Sequence, residues 1–227
     1  MECAKAYFNW SSGKDSALAL YIALQEKRRV GTLFSVVHGD SGRIAMHEIS
    51  EALLNRQAEA IGMPLTVFHY DPLWSREAYA HAMRQQIEYL KEKKMTTALF
   101  GDLNLEPLRR SREENCRQSG IAAEFPLWNW PADKIMKTFI GLGFQAVVTS
   151  IDHRVLPDSF LGRVIDENFL ADLPAQADIC GENGEYHSFV YDGPIFQKPV
   201  SFSIKSRFSR EYPEENGMHR YCYLELE

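Results

Sequence analysis

Through the first 125 residues, short apolar runs alternate with stretches of helical period. Residues 6–10, 32–37, 65–69, 97–100 and 121–125 read as buried strands. Between them, residues 16–25 carry Leu18, Tyr21, Ile22 and Leu24 on one side. Residues 45–61 carry Ile49, Leu53, Gln57 and Ala60 near helical spacing, stopped by Gly62 and Pro64. Ser75 is a natural N-cap for a long helix over 76–94, with Tyr79, Met83, Ile87 and Leu90 in one stripe. Pro107 suits the first turn of a further helix that runs to Ser119 and stops at Gly120. This alternation predicts an α/β fold with an open five-stranded parallel sheet and right-handed crossovers.

The run Pro126-Leu127-Trp128-Asn129-Trp130-Pro131 breaks the rhythm, and a domain boundary is expected there, dividing residues 1–126 from 127–227. Beyond it come a helix over 132–142, a β-branched run over 146–151, a helix near 164–173, and strands over 201–207 and 221–226. The smaller C-terminal domain therefore reads as α+β with antiparallel pairs. No internal repeat is visible.

Composition changes this picture little: 227 residues, 45% hydrophobic and 25% charged, describe an ordinary soluble domain or two. No apolar run approaches the roughly 20 residues a membrane helix needs. Lys5, Asn9 and Lys14 interrupt the start, so no signal peptide is expected and the expected location is cytoplasmic. Cys3, Cys116, Cys180 and Cys222 lie far apart without a C-x-x-C pair, which suggests reduced thiols and argues against a structural zinc. Charge excludes more. With 25 basic against 31 acidic residues the net charge is -6, and all of it falls in residues 127–227, which hold 9 basic and 15 acidic side chains. Neither nucleic acid nor a membrane surface is an expected partner.

The candidate chemistry starts at Asn9-Trp10-Ser11-Ser12-Gly13-Lys14-Asp15-Ser16, the turn from the first strand into the first helix. There a helix N-terminus presents free N–H groups and a positive dipole end to an anion. Gly13 allows close approach, Lys14 adds charge, and the hydroxyls of Ser11, Ser12 and Ser16 can donate to phosphate. The Walker pattern is absent. The segment instead resembles the PP-loop, S-G-G-K-D-S, of the ATP pyrophosphatases, with Ser12 at the first glycine. That resemblance implies cleavage of ATP between its α and β phosphates.

Other residues are open between chemistry and plain structure. Asp102, after the fourth strand beside Gly101, is either a Mg²⁺ ligand or a turn-forming Asp. Asp152 ends a strand, where it could reach a crevice or cap a turn. His38 and His47 flank the loop after the second strand, a region that contacts adenine in this fold class. Asn183-Gly184 signals a type I′ hairpin turn, yet a plain turn does not require Glu182, Glu185 and His187 around it. Cys180 reads as structural.

Several blocks are similar to the diphthine-ammonia ligase family: residues 57–65, Gly101-Asp102-Leu103, the helix over 109–116, Pro126-Leu127-Trp128, residues 181–187 and Asp192-Gly193-Pro194. The resemblance implies an adenine nucleotide α-hydrolase (HUP) type domain followed by a family-specific C-terminal domain. It also implies that ATP activates a carboxylate as an acyl-adenylate, which ammonia converts to an amide, with Mg²⁺ as companion ion. The implied catalytic residues are Lys14, Asp15, Glu185 and His187. ATP and pyrophosphate would lie on Ser11, Ser12, Gly13, Lys14, Asp15, Ser16, His38 and Gly101. The substrate would contact Arg109, Glu114, Asp152, Glu182, Asn183, Gly184 and Glu185, and the metal Asp15 and Asp102.

At the C-terminal turn the family pattern is E-G-G-E-[FY]-E, whereas this chain reads Glu182-Asn183-Gly184-Glu185-Tyr186-His187. That form resembles a bacterial subgroup linked to corrinoid salvage, which implies a small corrinoid-related carboxylate as substrate. The alternatives are diphthine on elongation factor 2, a non-catalytic ATP or AMP sensor, and a PP-loop tRNA-modifying enzyme. The last would need paired catalytic cysteines and a basic surface. Sequence leaves the oligomeric state unread.

Overall fold

A computed structural model describes residues 5–214 and 217–227. Cys3 lies outside them. The first half forms β1 (Lys5–Asn9), α1 (Lys14–Gln25), β2 (Val30–His38), α2 (Glu51–Ile61), β3 (Leu65–Tyr70), α3 (Arg76–Glu92), β4 (Met95–Leu99), α4 (Glu106–Gln118) and β5 (Ala122–Glu124). Its five strands make a parallel sheet in the order β3-β2-β1-β4-β5. The expected α/β architecture is present, and the order reverses at β1, whose C-terminal end carries the Ser11–Ser16 loop. Ligands bind open α/β sheets at such a switch point.

The second half contributes α5 (Ala132–Gly141), β6 (Gln145–Asp152), α6 (Glu167–Asp172), β7 (Tyr186–Asp192), β8 (Ile204–Glu214) and β9 (Gly217–Leu226). Its strands pair antiparallel in the order β7-β6-β9-β8, the α+β organisation expected. Among the described residues no helix is long and apolar enough to cross a membrane.

Several boundaries differ from the periodicity reading. The helix expected over 45–61 starts only at Glu51, where the Ser50 side chain accepts from the Leu53 N–H. Residues 45–50 instead form a loop in which Met46 and Glu48 take φ of 65° and 56°, a left-handed backbone no helix tolerates. The helix near 164–173 shrinks to α6, capped by Asp166. The strand expected from 201 begins at Ile204. Asn183-Gly184 does not close a hairpin, since no strand precedes it. Gly184 donates to the Gly181 carbonyl in a tight turn, and only Gly181 and Gly184 have positive φ there.

Helix α1 explains how the halves join. Its Ala17, Leu18, Ala19, Leu20 and Ala23 are all buried, because one side packs on the parallel sheet and the other on the second sheet. One apolar cluster consequently runs from Phe8 and Leu33 through α1 to Phe139, Phe189 and Leu224. The opposite face of the parallel sheet is closed by α3 and α4 over Tyr7, Phe34, Ile87, Leu90 and Cys116.

A buried amide fixes the seam. Gln57, fully buried on α2, accepts from the Trp10 indole N–H at 2.9 Å. Its Nε2 donates to the carbonyls of Ser12 at 3.2 Å and Val190 at 2.6 Å. Buried polar groups left unpaired cost about 1–3 kcal/mol each. Gln57→Leu keeps the volume but leaves the Trp10 indole N–H without its acceptor and strips a bond from the Ser12 and Val190 carbonyls, so it is expected to lower unfolding stability by at least ~2 kcal/mol. A shift in the urea midpoint checks this, and an unchanged midpoint would contradict it.

Candidate functional site

The Ser11–Ser16 loop leaves the sheet between β1 and α1 and meets β7 from the other half. Gly13 is the N-cap of α1 without a side-chain cap, the Lys14 N–H donates to Ser188 Oγ at 3.1 Å, and the Val190 N–H donates to the Ser12 carbonyl at 2.9 Å. A Cβ on Gly13 would come within 2.9 Å of the His47 ring and 3.2 Å of the Ser188 carbonyl, so glycine is required for this docking. Ser12 adopts φ 73°, a conformation that costs a non-glycine residue roughly 1–2 kcal/mol. Its hydroxyl is buried without a partner. Ser11 and Ser16 pair through their hydroxyls at 2.7 Å and stiffen the loop.

The loop borders a cavity of about 630 Å³ that both halves enclose. Lys14 is buried in its wall, donating to Asp15 Oδ2 at 2.9 Å and to the Cys180 carbonyl, with its ammonium 5.0 Å from the Tyr186 ring. Burial alone would push its pKa down. The Asp15 carboxylate, together with Tyr186 and Cys180, more than offsets that and holds it above the ordinary lysine value, which favours the charged form of Lys14.

Three carboxylates face this cation in the same wall. Asp15 Oδ1 is buried with no hydrogen bond. Burial raises the pKa of Asp102 despite the Arg112 guanidinium 3.4 Å away, and the Asp15 charge raises it further. Glu182 is pushed up to about 7, chiefly by burial and then by Asp15. Oxygen donors of this kind, one of them unpaired, fit Mg²⁺.

Two imidazoles complete the polar side. His47 and His187 lie with ring centroids 4.6 Å apart. Burial pushes His47 down to about 4 and His187 well below its ordinary value, with His47 adding to the shift of His187 and Lys14 to both, which favours the neutral form of each ring. His187 Nε2 is buried without a partner. The facing wall is apolar: Phe34, Val36, Met46, Tyr79, Leu105 and Leu108.

The structure thus gathers Ser11, Gly13, Lys14, Asp15, Ser16, Gly101, Asp102, Glu182, Gly184 and His187 around one cavity. Other expected site residues lie outside its wall. Glu185 accepts from the N–H groups of Asp178 and Asn183 at 2.9 Å each and from Asn183 Nδ2 at 3.0 Å. Burial would raise its pKa, but these bonds bring it below the ordinary range, and both Glu185 and Asn183 serve the turn that presents Glu182. Asp152 is bound by the Arg154 side chain. Arg109 pairs with Glu113 and lies over the Phe125 and Trp128 rings, while Glu114 binds Arg117 in solvent. His38 packs against Tyr70. Sequence reasoning missed Arg112, although Leu105, Leu108 and Arg112 have the spacing of one helix face. Cys180 is buried, its thiol donates to the Ala132 carbonyl, and burial pushes its pKa up to about 12, which suits the structural role expected.

Residues 4–123 match the diphthamide synthase N-terminal domain and residues 131–222 the diphthamide synthase C-terminal domain. The chain is similar to diphthine–ammonia ligase of Homo sapiens, 25% identical over 84% of this chain and 79% of the relative. The enzyme of the same name from Schizosaccharomyces pombe is 25% identical over 95% of this chain and 38% of the relative. That of Danio rerio is 27% identical over 63% of this chain and 62% of the relative.

Glu182 supplies a test of the site's electrostatics. Its folded pKa lies above the unfolded value, so the folded state holds the proton more tightly, and stability is lost as pH rises from about 4.5 to about 7. Glu182→Gln abolishes that loss. The melting temperature of the variant minus that of the parent should be more positive at pH 8 than at pH 4.5. A difference independent of pH would contradict the buried, carboxylate-crowded setting.

Proposed function

The chain belongs to the diphthamide synthase family, and we propose that it is an ATP-dependent ligase that adenylates a substrate carboxylate and transfers ammonia to it. The observation that carries this reading is the convergence of a buried lysine at a phosphate-type loop, three carboxylates and two neutral imidazoles on one cavity.

In the first step a substrate carboxylate oxygen attacks the α-phosphorus of ATP in line. The new P–O bond forms as the α–β bridging bond breaks, and pyrophosphate leaves on the Ser11–Ser16 loop. Lys14 and the N-terminal N–H groups of α1 stabilise the charge that builds on it. Asp15 and Asp102 would hold Mg²⁺, which supplies further neutralisation of the phosphates. In the second step ammonia attacks the carbonyl carbon of the acyl-adenylate, the C–N bond forms, and AMP departs.

The attacking nitrogen must lose a proton. Glu182, whose pKa burial raises to about 7 at the cavity wall, is the base in this reading, and the Nε2 of His187 can accept an N–H from ammonia. Glu185 acts at one remove by shaping the turn. Arg112 is a natural anchor for a carboxylate against the apolar wall.

For the substrate, the Glu182-Asn183-Gly184-Glu185-Tyr186-His187 turn supports a small carboxylate of the corrinoid-related kind. His187, half-buried and disfavoured as a cation, offers no counter-charge to the cationic trimethylammonium of diphthine. The second reading is diphthine on elongation factor 2, favoured by what the relatives are named for acting on. The cytosol, with its ATP and reducing conditions, suits either.

One assay separates these. The protein is incubated with α-labelled ATP, Mg²⁺ and ammonium, together with either corrinoid carboxylates or diphthine-bearing elongation factor 2, and the nucleotide products are resolved. AMP is expected with the small carboxylate, and Lys14→Ala should reduce its formation by at least tenfold, since a charge-assisted contact is worth about 1.5–3 kcal/mol. ADP as main product would refute the ligase chemistry. AMP formed only with the elongation factor would establish the second reading.

A further inference from the structure

A second group of reactive side chains lies away from the ATP cavity, where β6 ends. After Asp152 the chain turns tightly, with the N–H groups of Val155 and Leu156 donating to the Asp152 carbonyl. This turn brings His153 and Asp158 back over β9 at Cys222, whose backbone is held between Ile151 of β6 and Ser209 of β8. His153 Nδ1 lies 3.0 Å from Asp158 Oδ1, and the Cys222 thiol donates to the same oxygen at 3.4 Å. One donor atom from each residue falls within 4.8 Å of the others.

We propose that His153, Asp158 and Cys222 form a zinc-type metal site whose fourth position opens on the adjoining pocket. Zinc bonds of about 2.0–2.3 Å at tetrahedral angles set neighbouring donors about 3.3–3.7 Å apart; the His153–Asp158 and Cys222–Asp158 spacings of 3.0 and 3.4 Å lie close to this, and the His153–Cys222 spacing is within 4.8 Å. A sulfur, a nitrogen and a single carboxylate select zinc or cobalt over calcium or magnesium, which demand oxygen donors. Binding replaces the thiol proton, which leaves to solvent. Thiolate plus carboxylate then balance the divalent charge.

The neighbouring pocket, about 200 Å³, shares Asp158 and Cys222 with the site. Arg207 and Arg220 also line it, Arg220 reaching to 4.0 Å from Asp158 Oδ2. Two guanidiniums beside a neutral metal complex favour an anionic fourth ligand, hydroxide or a small carboxylate, and oppose a second cation. The cysteine spacing argued against zinc because such patterns look for ligands close in sequence, whereas β6 and β9 bring these together from afar.

The test is a cobalt(II) titration of the chelator-stripped full chain. One cobalt per chain should give a near-ultraviolet thiolate-to-cobalt charge-transfer band and four-coordinate visible bands. Cys222→Ser should abolish the charge-transfer band. His153→Gln, at an exposed position that leaves the fold intact by circular dichroism, should weaken cobalt binding at least tenfold. Absence of the band at stoichiometric cobalt, its survival in Cys222→Ser, or unchanged affinity in folded His153→Gln would each overturn the site.

Discussion

Everything at the candidate active site depends on one seam, where the Ser12 carbonyl of the phosphate loop receives hydrogen bonds from both Val190 N–H and Gln57 Nε2. The loop belongs to one sheet and β7 to the other, so these bonds set the distance between the lysine-bearing helix and both the turn that carries Glu182 and the start of β7 that carries His187. They also offset a local cost. A glycine at position 12 would take φ 73° freely, whereas serine takes it only because the surrounding contacts over-determine the backbone.

Close docking has electrostatic consequences. Lys14, Asp15, Asp102 and Glu182 are drawn from three separate segments into a poorly solvated space, where their charges interact strongly. Lys14 is held charged, Glu182 is lifted toward neutrality, and the two imidazoles are kept uncharged by burial and by Lys14. Perturbed groups gathered in this way are what acid, base and anion-binding roles require. A Lys14–Asp15 ion pair whose second carboxylate oxygen is unpaired thus lies in the same cavity as an unpaired imidazole nitrogen.

How legible this was in the chain follows from the range of the forces involved. The parallel sheet, α3, α4 and the position of the Ser11–Ser16 loop between β1 and α1 are written in local periodicity and capping residues, and they were readable. The loop over 45–50 was not. Its Ile49 keeps helical spacing, but Arg43 is drawn to Glu225 at 2.8 Å and Glu48 to Arg210, ion pairs with strands far along the chain. Those contacts stabilise the left-handed Met46 and Glu48 and place His47 over Gly13. Likewise Gln57, a polar residue on an apolar stripe, was the visible sign of a buried junction. Glu185 shows the opposite case, because a conspicuous carboxylate on a tight turn can be occupied in holding the turn together, here by accepting from Asp178 and Asn183.

The dependence of the nucleotide site on the seam is open to a direct measurement: the ATP dissociation constant of folded Gln57→Leu, taken by calorimetry at low temperature. Gln57 does not line the cavity, so the side chain itself can lose no contact with ATP. If the seam positions the loop, affinity should fall at least tenfold while circular dichroism stays native. An unchanged constant in the folded variant would show that the loop keeps its shape without β7, and would contradict the joint construction of the site by the two halves.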